Sequence, residues 1–119
     1  MKRFVVSLPL LCVASLATLQ AHAFLKTATP AVGSTIQASP AEVQISFTEK
    51  IEPALSMIQV FDALGKEVDK RDVHVSHSDQ SVMAISLPPL QAGTYKVVWR
   101  IVSVDTHVTK GSFTFRVVR

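Results

Sequence analysis

His22, Asp105 and His107 are the residues of this chain whose types and positions could hold a metal ion. His22 lies where a secretory signal would be cut, and a histidine left at a chain terminus offers both an α-amine and an imidazole to one ion. Asp105 and His107 are two residues apart, so in an extended segment their side chains project to one side while Thr106 points away. The combined set is three nitrogens and one oxygen, which suits tetragonal Cu(II), and copper also tops the divalent affinity series. Zinc would accept the same atoms in a tetrahedral arrangement. Reference pKa values near 3.9 for Asp, 6.5 for His and 7.7 to 8.0 for an α-amine put the required protonation states within reach of neutrality. Binding would displace protons, so affinity should fall as pH drops. By itself the Asp-x-His spacing is a weak signal, because Asp serves turns so readily.

Two further histidines, His74 and His77, would face opposite sides of a continuous strand but could converge across a turn; they are read as surface residues outside the site. The only cysteine, Cys12, falls in the N-terminal segment, so the remainder of the chain has no thiol and no disulfide. Thiolate zinc sites and cysteine catalysis are thereby excluded.

Whether His22 becomes a terminus depends on the first residues. Met1-Lys2-Arg3 supplies a positive start, and Phe4 to Leu19 is an almost uncharged apolar stretch followed by small residues, the form of a Sec-type signal peptide. Ser7, Pro9 and Ser15 interrupt that stretch, which is shorter than the about 20 apolar residues of a spanning helix, so export without a membrane anchor is expected. Two cleavage sites compete. Ala21-His22-Ala23 fits the generic A-x-A rule and would leave Phe24 first, whereas Leu19-Gln20-Ala21 is a looser fit and would leave His22 first. Local rules slightly favour the former.

Cleavage after Ala21 divides the chain into a removed segment, 1–21, and a single domain, 22–119, of 98 residues, enough for one small core. The formal charge of +3 belongs mostly to the signal, since loss of Lys2 and Arg3 leaves ten basic residues against nine acidic ones. No basic run argues for nucleic acid or an anionic membrane surface.

The elements that must position the ligands read as strands. Val43, Ile45 and Phe47 share one face; Met57 to Phe61 ends at an Asp62-Ala63-Leu64-Gly65 turn; Asp72 to Ser76 and Val82 to Leu87 are two more runs, the last placing Met83 inward. After Ala92-Gly93, Tyr95, Val97, Trp99 and Ile101 alternate with Lys96 and Arg100, which makes Trp99 a core residue. Phe113, Phe115 and Val117 repeat the pattern after Gly111, which is expected to allow a tight turn, and Val102, Val104 and Val108 are expected to frame the ligand pair. With a strand near Phe24 to Thr29, about seven strands and no helix result. The fold class is all-β, a Greek-key β-sandwich or barrel of immunoglobulin-like or cupredoxin-like form.

The start His22-Ala23-Phe24-Leu25-Lys26-Thr27-Ala28-Thr29-Pro30, the segment Phe47-Thr48-Glu49, the stretch Leu90 to Arg100 and the run Ser103-Val104-Asp105-Thr106-His107 with Gly111-Ser112-Phe113 together resemble the CopC family of periplasmic copper-resistance proteins. The resemblance covers essentially the whole of 22–119. It implies cleavage after Ala21, a periplasmic location, and one Cu(II) held by the amine and imidazole of His22 with Asp105 and His107. It further implies that Glu49 lies near the site and orients the amine or a water by hydrogen bonding. A CopD-like inner-membrane protein is the implied partner, and the chain itself is expected to be a monomer. Some family members carry a methionine-rich loop for Cu(I), but this chain has only Met57 and Met83 beyond Met1 and departs from that pattern.

Two other functions fit parts of the sequence. Oxidative polysaccharide monooxygenases also chelate copper through a terminal histidine, although Asp105 would fill the position that an oxygen-activating copper leaves open. A metal-free immunoglobulin-like interaction module would use none of the ligands. Copper sequestration, resistance or delivery is the reading that uses all of them.

Overall fold

A computed structural model describes residues 25–119. Eight strands follow in order: β1 (Leu25–Thr29), β2 (Thr35–Ile36), β3 (Glu42–Phe47), β4 (Met57–Phe61), β5 (His74–Val75), β6 (Val82–Ser86), β7 (Gly93–Val102) and β8 (Val108–Val117), with one 3₁₀ turn at Pro53–Leu55. They form two four-stranded sheets, β1-β3-β6-β5 and β2-β8-β7-β4. All pairings are antiparallel except β2 with β8. The two separate sheets make this a sandwich and not a closed barrel.

Period-two alternation dictates the packing. Val43, Ile45 and Phe47 from β3, Met83 and Ile85 from β6, and Tyr95, Val97, Trp99 and Ile101 from β7 all turn inward and are buried. Each such large apolar side chain contributes about 1.5–3 kcal/mol when fully buried, which is what holds a domain without a disulfide together. Trp99 meets Phe47 edge to face at 5.3 Å, and Tyr95 stacks on Phe115 at 5.6 Å. Trp99 and Met83 are thus core residues, as their alternation predicts.

The strand count exceeds the sequence expectation because β2 is only two residues long, too short to show any periodicity. The expected strand from Asp72 to Ser76 contracts to His74–Val75, because the segment before it turns back on Asp69 and Asp72. Asp69, nine-tenths buried, accepts the Val60 and Arg71 amides at 2.8 and 2.9 Å, and Asp72 accepts the Ser86 amide at 2.8 Å. These carboxylates take backbone donors that a ladder would otherwise pair.

Gly111 does not form a turn. It lies inside β8 directly opposite Trp99, and a Cβ there would stand 2.6 Å from Trp99 Cζ2. The glycine is needed because the indole lies across that position.

Candidate metal centre

The inward alternation of β7 runs one residue past the strand, to Ser103, which is fully buried although it is polar. A buried hydroxyl must find partners, and Ser103 finds them in the connection to β8. Its Oγ donates to Asp105 Oδ1 and accepts from the His107 amide at 3.3 Å, while its own amide donates to the His107 carbonyl at 2.9 Å. The Thr106 amide closes on the Ser103 carbonyl at 2.8 Å. One serine therefore organises the whole 103–107 turn.

Within that turn Thr106 has φ +70°, a left-handed conformation that a β-branched residue rarely adopts. Asp105, Thr106 and His107 are not extended, so the pleat does not align the ligand pair; the turn does. His107 Nδ1 stands 3.2 Å from Asp105 Oδ2. Both side chains are open to solvent, at 50% exposure for Asp105 and 80% for His107. The Ser103 hydroxyl, and after it the His107 ring, hold the Asp105 carboxyl below the usual carboxylate range. The expected valine frame is only partial: Val102 is buried, but Val104 and Val108 are about half exposed, because they lie on the outward side of the turn.

A second segment buttresses the turn. The Val104 amide donates to the Lys50 carbonyl at 3.0 Å, Ile51 bridges Ser103, and the Glu52 amide donates to the Val102 carbonyl at 2.9 Å. Ser56 completes the brace, accepting the Val102 amide at 2.9 Å while donating to the Glu52 carbonyl. Glu49 is exposed and adjacent to Lys50, so it belongs to this end of the sandwich, and it forms no hydrogen bond to the turn among the described residues.

His22 lies outside the described residues. The first described residue, Leu25, pairs with Phe47, two positions before Glu49. Among the described residues no group of three or more His, Cys, Asp and Glu side chains comes together, so Asp105 and His107 form a half-site. His74 and His77 are exposed on and beside β5, in the sheet opposite the one that carries the turn, and His74 Nδ1 lies 2.9 Å from the Asp72 carbonyl oxygen. Met83 is in the core and Met57 lies exposed on β4, so the two thioethers are not a pair.

Ser103 is the positioning residue that sequence reasoning missed. Its signal was available: it is the one polar residue at an inward position of the register that runs through Val97, Trp99 and Ile101.

Known proteins resemble the chain over this same region. The CopC domain family matches residues 25–118. Copper resistance protein C of Pseudomonas syringae pv. tomato is 42% identical over 104 residues, covering 82% of each chain. Among solved structures, CopC from Methylosinus trichosporium OB3b superposes with a TM-score of 0.75 at 32% identity, covering 81% of this chain and 93% of that one. PcoC, a methionine-rich copper resistance protein from Escherichia coli, gives 0.71 at 33% identity, covering 80% and 97%.

Proposed function

The chain belongs to the CopC family, and from that premise we propose that it is a periplasmic copper-resistance protein that binds one Cu(II) through His22, Asp105 and His107. Copper handling, not catalysis, is the activity for which the similar proteins are named. The observation that carries the residue assignment is the exposed carboxylate and imidazole 3.2 Å apart on a turn fixed by a buried serine. A preset pair of this kind offers one oxygen and one nitrogen at no folding cost when the ion arrives.

The donor chemistry fits copper. A half-site needs further ligands, and His22 supplies two when processing stops at Ala21. Leu25 is tied to Phe47, and the three residues back to His22 reach about 10 Å at full extension. That reach lets the chain start serve the same end of the sandwich. A chain beginning at Phe24 would lack both nitrogens. Glu49, next in sequence to the bracing Lys50, would orient the amine or a bound water.

Without a paired thioether site, the protein would hold the oxidised ion and sequester it or pass it to a CopD-like inner-membrane protein, acting as a monomer. The test begins with the mass of the exported protein, which fixes its first residue. Titration with Cu(II) at neutral pH should show one equivalent bound, and Asp105→Ala and His107→Ala should each weaken binding by at least about tenfold. Unchanged affinity in both variants would overturn the ligand assignment. A first residue of Phe24 would remove His22 from it.

A further inference from the structure

β8 is covered unevenly. Beyond β7 it meets β2 only at Arg116 and Val117, with the Gly33 amide reaching the Thr114 carbonyl and the Arg116 amide reaching the Ser34 carbonyl. Residues 114 and 116 therefore turn their backbone groups away from β7, and by the two-residue repeat 110 and 112 do the same. Among the described residues nothing pairs with the Lys110 and Ser112 backbone, which is an open strand edge.

Beside this edge lies a cavity of about 270 Å³, walled by Leu25, Val32, Trp99 and Phe113 and floored by Gly111. Trp99 Nε1 is buried and has no hydrogen-bond partner among the described residues. Its ring carbon Cε2 is 3.0 Å from where a Gly111 Cβ would be, so the donor sits at the cavity floor. The walls that Leu25, Val32 and Phe113 put around it are apolar and fit an apolar side chain.

The charge around the edge selects the occupant. Lys96, Arg100, Lys110 and Arg116 are exposed on the outer face of β7 and β8; Arg100 stands directly opposite Lys110, and none of the four has an ion pair among the described residues. That face of the two strands holds no acidic side chain. Like charges opposed across strands are unfavourable unless an anion joins them. Pairing of the edge with that of a second copy would centre on Lys110 and set it against itself, so lysine guards against that dimer.

We propose that the open edge of β8 docks an extended acidic segment of a partner protein, which adds as a strand beside Val108 to Ser112. Acidic side chains of the segment face Lys110 and Ser112 on the outer surface, and an apolar side chain opposite Gly111 enters the cavity. The strand would end next to the 103–107 turn, yet the site is independent of copper.

The probe is a capped decapeptide alternating Glu and Val, titrated into the processed protein. It should bind and shift the emission of Trp99, the one tryptophan, while a Lys–Val peptide should not bind. Lys110→Glu should reverse that preference. Ser112→Pro removes an amide that faces the open edge, so it should leave thermal unfolding unchanged and weaken the peptide about tenfold. N-methylation of alternate peptide amides should do the same with the wild-type protein, which keeps the test sound if the proline variant does not fold. Asp105→Ala should have no effect on peptide binding, which separates this site from the copper reading. Equal binding of the N-methylated peptide, or unchanged Trp99 emission, would overturn strand addition. Binding to phosphatidylglycerol vesicles undiminished by Ser112→Pro would assign the face to lipid. A dimer in sedimentation would assign it to a second copy, and either result would overturn the proposal.

Discussion

Replacing Ser103 by alanine separates the folding of the turn from its fitness for metal. The hydroxyl is completely buried and touches both ends of the ligand pair, donating to Asp105 Oδ1 and accepting the His107 amide at 3.3 Å. Alanine is smaller and causes no clash, and the backbone bonds from Ser103 to His107 and from Thr106 to Ser103 remain. The carboxylate that loses its donor is half exposed and regains a water. Folding should therefore change by no more than about 1 kcal/mol, the usual net value of one hydrogen bond. Metal binding should change more, because a group that orients a ligand typically governs affinity by about 10–100-fold. The variant also releases Asp105 toward the ordinary carboxylate range, since the serine is the larger cause of its lowering. The carboxyl ionises below the imidazole and the amine in either case, so the acid limit of copper binding stays with those nitrogens and should not move. Urea unfolding and Cu(II) competition against a chelator, at neutral and mildly acidic pH, measure these effects separately. Copper affinity within about twofold of wild type would refute the role given to Ser103.

Gly111→Ala should lower stability by about 1–3 kcal/mol, because its Cβ would stand 2.6 Å from a Trp99 ring already packed on Phe47; thermal unfolding should fall by about 4–8 °C per kcal/mol for a domain of this size. Thr106→Gly should relieve a left-handed threonine, a strain of about 1–3 kcal/mol that the added freedom of the unfolded glycine partly offsets. Urea unfolding should thus show equal or greater stability, while copper affinity falls because the turn is looser. Asp72→Asn keeps an acceptor for the Ser86 amide but removes a charge whose carboxyl is lowered mainly by its bonds to Ser86. A lowered carboxyl stabilises above its unfolded pKa and loses that contribution as pH falls through the folded value. Wild type should therefore exceed the variant at neutral pH, with the gap closing below the carboxylate range in an acid unfolding series.

Long elements were legible in the sequence because their burial is written in alternation. β7 and β8 each place five or more residues on one face, so Trp99, Phe113 and Phe115 could be assigned to the core by period alone. β2 could not, since two residues carry no period. Asp69 escaped for a different reason: a carboxylate that collects backbone amides at a crossing between sheets looks like any turn aspartate until the chain is folded. Gly111 was misplaced because glycine signals a turn and a close approach alike, and only the Trp99 ring distinguishes them. The sequence argument for bringing Asp105 and His107 together did not hold, since the two converge through a left-handed Thr106 and not through a pleat.

That last difference bears on how the site works. On a continuous strand, two side chains on one face sit about 7 Å apart and are positioned only by the pleat. A turn closed on a buried serine can set a carboxylate against an imidazole at hydrogen-bond distance before any ion is present. The strands on either side are locked in a register of ten pairs, so rearranging the turn means disturbing the longest ladder in the domain. Rigidity is thus supplied by the part of the fold with most to lose, and exposure by the outward side of the turn. The remaining donors have to come from a segment that can reach the turn without belonging to it. A chain processed to start at His22, three residues before the pairing of Leu25 with Phe47, would meet that requirement.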